Sequence, residues 1–357
     1  MSPMKVGLVL SGGGAKGAYQ VGVLKALKEL KIEVHAISSA SIGALNGAIL
    51  ASADTFDDGI ANLEEIWRYL ADNSPVEMKY SVYPYFLASA GVRFNPMFAG
   101  LLAGLPKATR CLFPEQDCWQ PSILSNEPLK KLLDKHLCLD KLSTGVPFYV
   151  SVFKSRGLLM DISGILGAEF GIIENPDSEY FHLQSLPLAQ QHKMLMASAS
   201  IPILFSKQGI DDAVYTDGGQ GSWSKQHGNT PIQPLIDAGC NMLIVNHLND
   251  GSLWSRHDFP DTTILEIRPQ TSLGRDKGTT GAVKDILGFN CEKINSWMEQ
   301  GYVDAKACVT KVLELSESRH NLKSSKQLLI ESDKASEAVD RRLSDSMSAL
   351  NTMKSKC

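Results

Sequence analysis

Apolar and polar positions follow two periods along this chain, and the switches between them lay out the elements. Residues 6–10 form a continuous apolar run, the pattern of a strand buried on both faces. After a run of glycines, residues 18–30 place Val21, Leu24 and Leu27 at helical spacing. Residues 34–38 read as a second strand. Residues 42–53 read as a second helix, small and apolar enough to be buried. Residues 56–70 form a third helix, with Ile60, Leu63, Ile66, Trp67 and Leu70 on one side. Strand-helix-strand-helix order predicts a parallel sheet with helices on its faces.

Further on, residues 127–137 read as a helix with Asn126 as N-cap and Pro128 in its first turn. Residues 147–153, 241–247 and 263–268 read as strands, residues 174–187 as a polar, irregular surface loop, and residues 193–199 as a short helix ended by Ile201-Pro202. Residues 210–216 lead into Asp217-Gly218-Gly219. From 282 onward the pattern turns helical: one long helix or two over 286–315, then a charged helix over 324–353 with Val339, Leu343, Met347 and Leu350 along one side. Residues 80–106 carry a single charge, Arg93, among many apolar and aromatic side chains. They are either a bent core segment or a greasy lid or membrane-facing surface beside a functional site. No internal repeat or low-complexity linker divides the chain. The expected architecture is a three-layer α/β/α fold around a mostly parallel sheet. It comprises a domain over 1–280 and a helical C-terminal extension over 281–357 that packs on the domain, regulates it or meets another chain.

Composition narrows the setting. Among 357 residues, 43% are hydrophobic and 21% charged, enough for a sizeable core. A net charge of -4 offers no basic footprint for nucleic acid. Seven scattered cysteines without a C-x-x-C pair argue against a zinc site or a disulfide framework, and fit a reducing cytoplasm. The N-terminal apolar run is too short for a signal h-region, and no stretch reaches the length of a membrane-spanning helix. The expected protein is soluble and cytoplasmic, with room for transient contact at a membrane surface.

Two strings carry candidate chemistry. Ser11-Gly12-Gly13-Gly14-Ala15-Lys16-Gly17 is a turn whose backbone N–H groups are little shielded by side chains. Ser39-Ala40-Ser41-Ile42-Gly43 reads as a tight strand-to-helix elbow with Ser41 at its tip, where the helix N-terminus favours a developing oxyanion. Ser39 stands where such elbows usually have glycine. Gly12, Gly14 and Gly17 also match the dinucleotide pattern G-x-G-x-x-G, but the second strand ends in Ile37-Ser38-Ser39 without the acidic residue that would hold a ribose. Lys16 is followed by Gly17 and not by Ser or Thr, so the Walker pattern fails as well. For a base, Asp217 at a strand end before two glycines is a candidate, although a D-G-G string is often only a turn. His247, His227 and His35 remain open as alternatives, His247 in the chain order of a Ser-Asp-His triad.

In combination, Gly12 to Tyr19, Ser39-Ala40-Ser41-Ile42-Gly43-Ala44 and Asp217-Gly218-Gly219 resemble the patatin-like phospholipase family, nearest its bacterial, neuropathy-target-esterase-like branch. Leu129 to Leu133, Ala197-Ser198-Ala199-Ser200-Ile201-Pro202 and Asn229-Thr230-Pro231-Ile232 fit other segments of that family, so the likeness covers roughly residues 4–250. The resemblance implies a patatin-like fold and a Ser41–Asp217 dyad without histidine. It implies an oxyanion hole from the amides of Gly12, Gly13, Gly14 and Ala15, with Lys16, Gly17, Ser39, Gly43, Gly218 and Gly219 in support. It implies no metal or other cofactor. The substrate it implies is a phospholipid or lysophospholipid; the alternatives are a soluble ester or thioester, or an idle regulatory role. The stretch from Gln220 to Gly228 is longer than the family's usual spacing, and it shapes the pocket, binds a lipid phosphate or forms only a surface loop.

Overall fold

The computed structural model describes residues 4–72, 134–156, 161, 175–199, 208–210, 213–222, 224–274 and 291–354. The segments 80–106 and 200–202 and the residue Trp223 lie outside these, as does all of the expected 127–137 helix except 134–136, which are helical.

Residues Met1–Lys306 form one compact unit and Ala307–Cys357 a second. In the first, an eight-stranded sheet has the order β5-β6-β3-β2-β1-β7-β8, with β4 also on β3. The strands are β1 (Val6–Leu10), β2 (Ala36–Ser39), β3 (Phe148–Lys154), β4 (Glu179–His182), β5 (Gln208–Ile210), β6 (Ala213–Asp217), β7 (Met242–Asn246) and β8 (Thr263–Ile267). The pairs β1–β2, β2–β3, β1–β7 and β7–β8 are parallel, whereas β4, β5 and β6 join antiparallel. The sheet is therefore mixed and mostly parallel, flanked by helices.

The first helices are α1 (Ala18–Glu29), α2 (Ile42–Ala51) and α3 (Phe56–Asp72); α4 (Leu139–Thr144), α5 (Leu188–Ser198) and α6 (Gln233–Asp237) follow. Every residue of α2 is buried, as its uniformly apolar sequence demands. α3 buries Ile60, Leu63, Ile66, Trp67 and Leu70, the stripe read from its sequence. Against the sheet's other face, Val9, Leu243 and Val245 pack with Leu235, Cys240 and Trp254.

Two expectations change. The segment 174–187 is not irregular: Glu179–His182 pairs with β3, Val150 opposite Phe181 and Ser151 opposite Tyr180, and a 3-10 turn Leu183–Ser185 follows. Backbone hydrogen bonding to a neighbouring edge supplies what the half-polar sequence does not advertise. The C-terminal pattern is a single helix, α7 (Cys291–Lys354). Its first part crosses α1 at close range: a Cβ on Gly22 would lie 1.8 Å from the Met298 carbonyl oxygen, and one on Gly301 would lie 2.0 Å from the Tyr19 carbonyl oxygen. Tyr19 Oη donates to Asp304 Oδ2 (3.1 Å) at the same crossing. The second unit is helical and exposes Leu315, Leu322, Leu329 and Leu343 among other apolar side chains.

Candidate active site

The C-terminal ends of β1 and β2 lie side by side, with Leu10 opposite Ser39, so the glycine turn and the serine elbow emerge as neighbours. Ser41 has φ 54° and ψ -128°, a left-handed backbone that a non-glycine residue adopts only under constraint. The constraints are visible. Ala40 N–H donates to the Leu10 carbonyl (3.2 Å), and Ala44 N–H to the Ser41 carbonyl (2.9 Å). Ser41 N–H donates to Ser198 Oγ (3.0 Å), whose own proton goes to the Ser151 carbonyl (2.7 Å). Gly43 lets the start of α2 approach β1, since a Cβ there would lie 2.1 Å from the Leu10 oxygen. The positive φ falls on Ser41 and not on Ser39, so the serine in place of the usual glycine meets no backbone strain. Ser39 ends β2 fully buried, and its hydroxyl has no hydrogen-bond partner among the described residues.

The glycine turn opens into a short 3-10 helix, Gly14–Gly17, with Gly14 at φ 61°. The amides of Gly13, Gly14 and Ala15 stand at the start of that helix, where no preceding turn supplies acceptors. Gly12 is held on both sides by Asn229: its N–H donates to the Asn229 carbonyl (3.4 Å), and its own carbonyl accepts from Asn229 Nδ2 (3.5 Å). Leu248 backs Gly13, and Ile42 and Trp67 back Gly17. Lys16 lies within the 3-10 helix and is half-buried.

Asp217 comes from the end of β6, which β3 links to β2: Val152 pairs with Asp217, and Val150 with Ser39. Its side chain caps the turn that follows, Oδ1 accepting from Gly219 N–H (2.8 Å). A Cβ on Gly218 would strike the Ser151 backbone oxygen at 2.4 Å, so the aspartate turn can sit on β3 only with glycine there. Burial raises the Asp217 carboxyl to about 6, while the Ser41 hydroxyl and the Gly219 amide pull against that rise. Asp217 Oδ2 has no hydrogen-bond partner among the described residues.

The three histidines are engaged elsewhere. His247 is buried with Nε2 3.3 Å from Glu266 Oε2 and its ring 5.3 Å from Trp254; burial pulls it below the usual imidazole range. His227 Nε2 meets Asp258 Oδ2 (3.0 Å), and His35 Nδ1 accepts from Val6 N–H (3.2 Å). Ser222 and Gln226 have positive φ, and Gly228 packs on the Gly218 carbonyl.

In the sequence Ser198 and Asn229 stand only as parts of motifs; their hydrogen bonds to the elbow and to the glycine turn are visible only in three dimensions. Gln20 and Asn46, which hydrogen-bond to each other and, through Gln20, to the Ser11 carbonyl, belong to no motif. Their signal was an amide within a helix that is otherwise apolar on that side.

A mostly parallel α/β sheet with a constrained serine elbow, a donor-rich glycine turn and a buried carboxylate defines the class of the serine acyl hydrolases. The chain belongs to the patatin-like phospholipase family, whose model matches residues 8–236, more than half its length. A stretch of 97 residues is 61% identical to lysophospholipase nte1 of Aspergillus terreus, covering 25% of this chain and 6% of that one. A stretch of 90 residues is 53% identical to neuropathy target esterase sws of Drosophila melanogaster, again 25% of this chain and 6% of the relative. The matched segments are thus a small part of either relative. VipD from Legionella pneumophila covers 87% of this chain and 67% of its own, at 16% identity and a TM-score of 0.37. Among the described residues, no helix is long and apolar enough to cross a membrane, and no group of His, Cys, Asp and Glu is arranged to hold a metal ion.

Proposed function

We propose that the protein hydrolyses fatty-acyl esters of phospholipids or lysophospholipids, with Ser41 as nucleophile and Asp217 as general base. The observation that carries this reading is a strained elbow serine after β2 and a buried carboxylate at the end of β6, both carried on β3 of one sheet. The Ser41 Oγ attacks the ester carbonyl and its proton passes to Asp217. The oxyanion is held by the amides of Gly13, Gly14 and Ala15, at the positive end of a helical turn. Collapse expels the alcohol, which takes the proton from Asp217. Asp217 then deprotonates water, which attacks the acyl-enzyme and releases the fatty acid. A carboxyl raised to about 6 is ionised near neutral pH and is a stronger base than an ordinary aspartate.

The chemistry closes without a metal or other cofactor. Substrate would be taken transiently from a membrane surface on the cytoplasmic side. The exposed leucines of the second unit, repeating at 315, 322 and 329, support a contact with a second copy of the chain. Fatty-acid release from phosphatidylcholine and lysophosphatidylcholine vesicles tests the activity: Ser41→Ala should abolish it, and retention by a folded variant would refute the assignment. Equal rates on p-nitrophenyl acetate and palmitate, with none on vesicles, would replace the lipid substrate by a soluble ester.

A further inference from the structure

A buried chain of hydrogen bonds runs from α3 through α2 and α1 to the glycine turn. Trp67 Nε1 donates to Asn46 Oδ1 (3.0 Å). Asn46 Nδ2 donates to Gln20 Oε1 (2.8 Å) and to the Gly17 carbonyl (3.1 Å). Gln20 Nε2 donates to the Ser11 carbonyl (2.7 Å). Trp67, Asn46, Gln20 and Ser11 are each at most 3% exposed.

The chain has a direction, and its first member sets it. An indole N–H can only donate, so Asn46 must present its oxygen to Trp67. Its NH₂ group is then turned toward Gln20, which must answer with its oxygen. The NH₂ group of Gln20 is in turn aimed at the Ser11 carbonyl. No amide in the series can flip without leaving a buried donor facing a donor. The last bond fixes a peptide plane. With the Ser11 carbonyl held by Gln20 and the Gly12 N–H by the Asn229 carbonyl, the Ser11–Gly12 peptide is pinned at both ends. Ser11 Oγ also meets Thr230 Oγ1 (2.9 Å), which ties the same residue to the Asn229 loop. Glycines have little to hold their own conformation. Anchoring the Ser11–Gly12 plane gives the turn a fixed starting point, and with the Gly12 carbonyl held by Asn229 Nδ2 it limits the directions open to the Gly13 and Gly14 amides.

We infer that Trp67, Asn46 and Gln20 form a directional positioning relay that aims the Gly13 and Gly14 amides at the oxyanion. The inference rests on the hydrolase reading above and assigns these residues no contact with substrate.

The test compares an oxo ester with its thiono ester, whose sulfur takes the developing charge and fits an oxygen-sized site poorly. Rates are expressed per Ser41 titrated with a fluorophosphonate, which removes any loss of folded protein. Gln20→Met keeps the length of the side chain and deletes the donor. It should lower kcat on the oxo ester at least tenfold, leave KM within about twofold, and reduce the oxo/thiono rate ratio in step. Trp67→Phe, which keeps an aromatic ring and removes the N–H, should move the same quantities less far. The double variant should be no worse than Gln20→Met alone, because both act through one carbonyl. Should Gln20→Met not fold, Trp67→Phe carries the comparison. Wild-type kcat and an unchanged ratio in these variants would overturn the relay while leaving the hydrolase intact. A wild type inactive on both esters, or a Ser41→Ala variant as fast as wild type, would instead remove the hydrolase reading and the relay with it.

Discussion

Gly12 packs directly on Ser41: a Cβ added to the glycine would lie 2.8 Å from the serine Cβ and 2.5 Å from Asn229 Oδ1. The donor turn and the elbow thus form one contact surface, and their spacing is set by a missing methyl group. Ser41 cannot retreat, because its backbone is already held at φ 54° by bonds on both sides.

Gly12→Ala should therefore damage both stability and activity. Overpacking a site of this kind costs about 1–3 kcal/mol, and the movement that relieves it separates the serine from the amides. Thermal unfolding should show a lowered midpoint. Ester hydrolysis per folded molecule should fall by a factor of about 100, the scale of a lost oxyanion donor. Near-wild-type turnover would mean that the turn and the elbow move independently.

Much of this was legible in the sequence, for identifiable reasons. β1, α1, α2 and α3 follow from hydrophobic period, and the elbow from a small-residue string at a strand-to-helix junction. That Asp217 ends a strand of the same sheet as the elbow is not readable from spacing, since it depends on β3 lying between β2 and β6. β4 was hidden because Glu179-Tyr180-Phe181-His182 has neither alternation nor an apolar run, and its pairing comes from a partner edge. Gln20 and Asn46 were hidden because a polar residue within a helix signals burial only once its partners are known. Ser39 was legible as an exception, and the structure explains it: the elbow's strain sits two residues later.

Ser39 supports a second prediction. Its hydroxyl is buried without a partner among the described residues, a condition that costs roughly 1–3 kcal/mol. Ser39→Ala removes the orphaned group and keeps the strand, so the melting temperature should rise while ester turnover stays unchanged. A fall in stability would show that the hydroxyl is satisfied, for instance by a buried water.

A third prediction concerns two helices. Gly22 and Gly301 let α1 and the first part of α7 cross with backbones in contact. An alanine at either position must push the helices apart, because the obstructing atoms are backbone carbonyls. Gly22→Ala and Gly301→Ala should each destabilise the fold by about 3 kcal/mol. The pair should be less than additive, since the first substitution already opens the crossing. Denaturant midpoints of the single and double variants measure this directly.

The last prediction follows from the Asp217 carboxyl, raised from 3.8 to about 6 chiefly by burial. As general base it must be ionised, so kcat/KM should rise with pH to a plateau, with its midpoint near 6. Stability moves the other way. A group whose folded pKa lies above its unfolded value binds its proton more tightly in the fold. Below about pH 4 it is protonated in both states and costs nothing. As pH climbs through 6, the fold must hold a buried charge that the unfolded chain holds in water, at an expense on the order of 3 kcal/mol. Asp217→Asn keeps the shape and never ionises. It should abolish hydrolysis and unfold at higher temperature than wild type at pH 7.5, with the difference vanishing near pH 4. Melting curves across that range decide it. A variant less stable than wild type at neutral pH would show that the ionised carboxylate stabilises the fold, and that its pKa lies below the ordinary aspartate value.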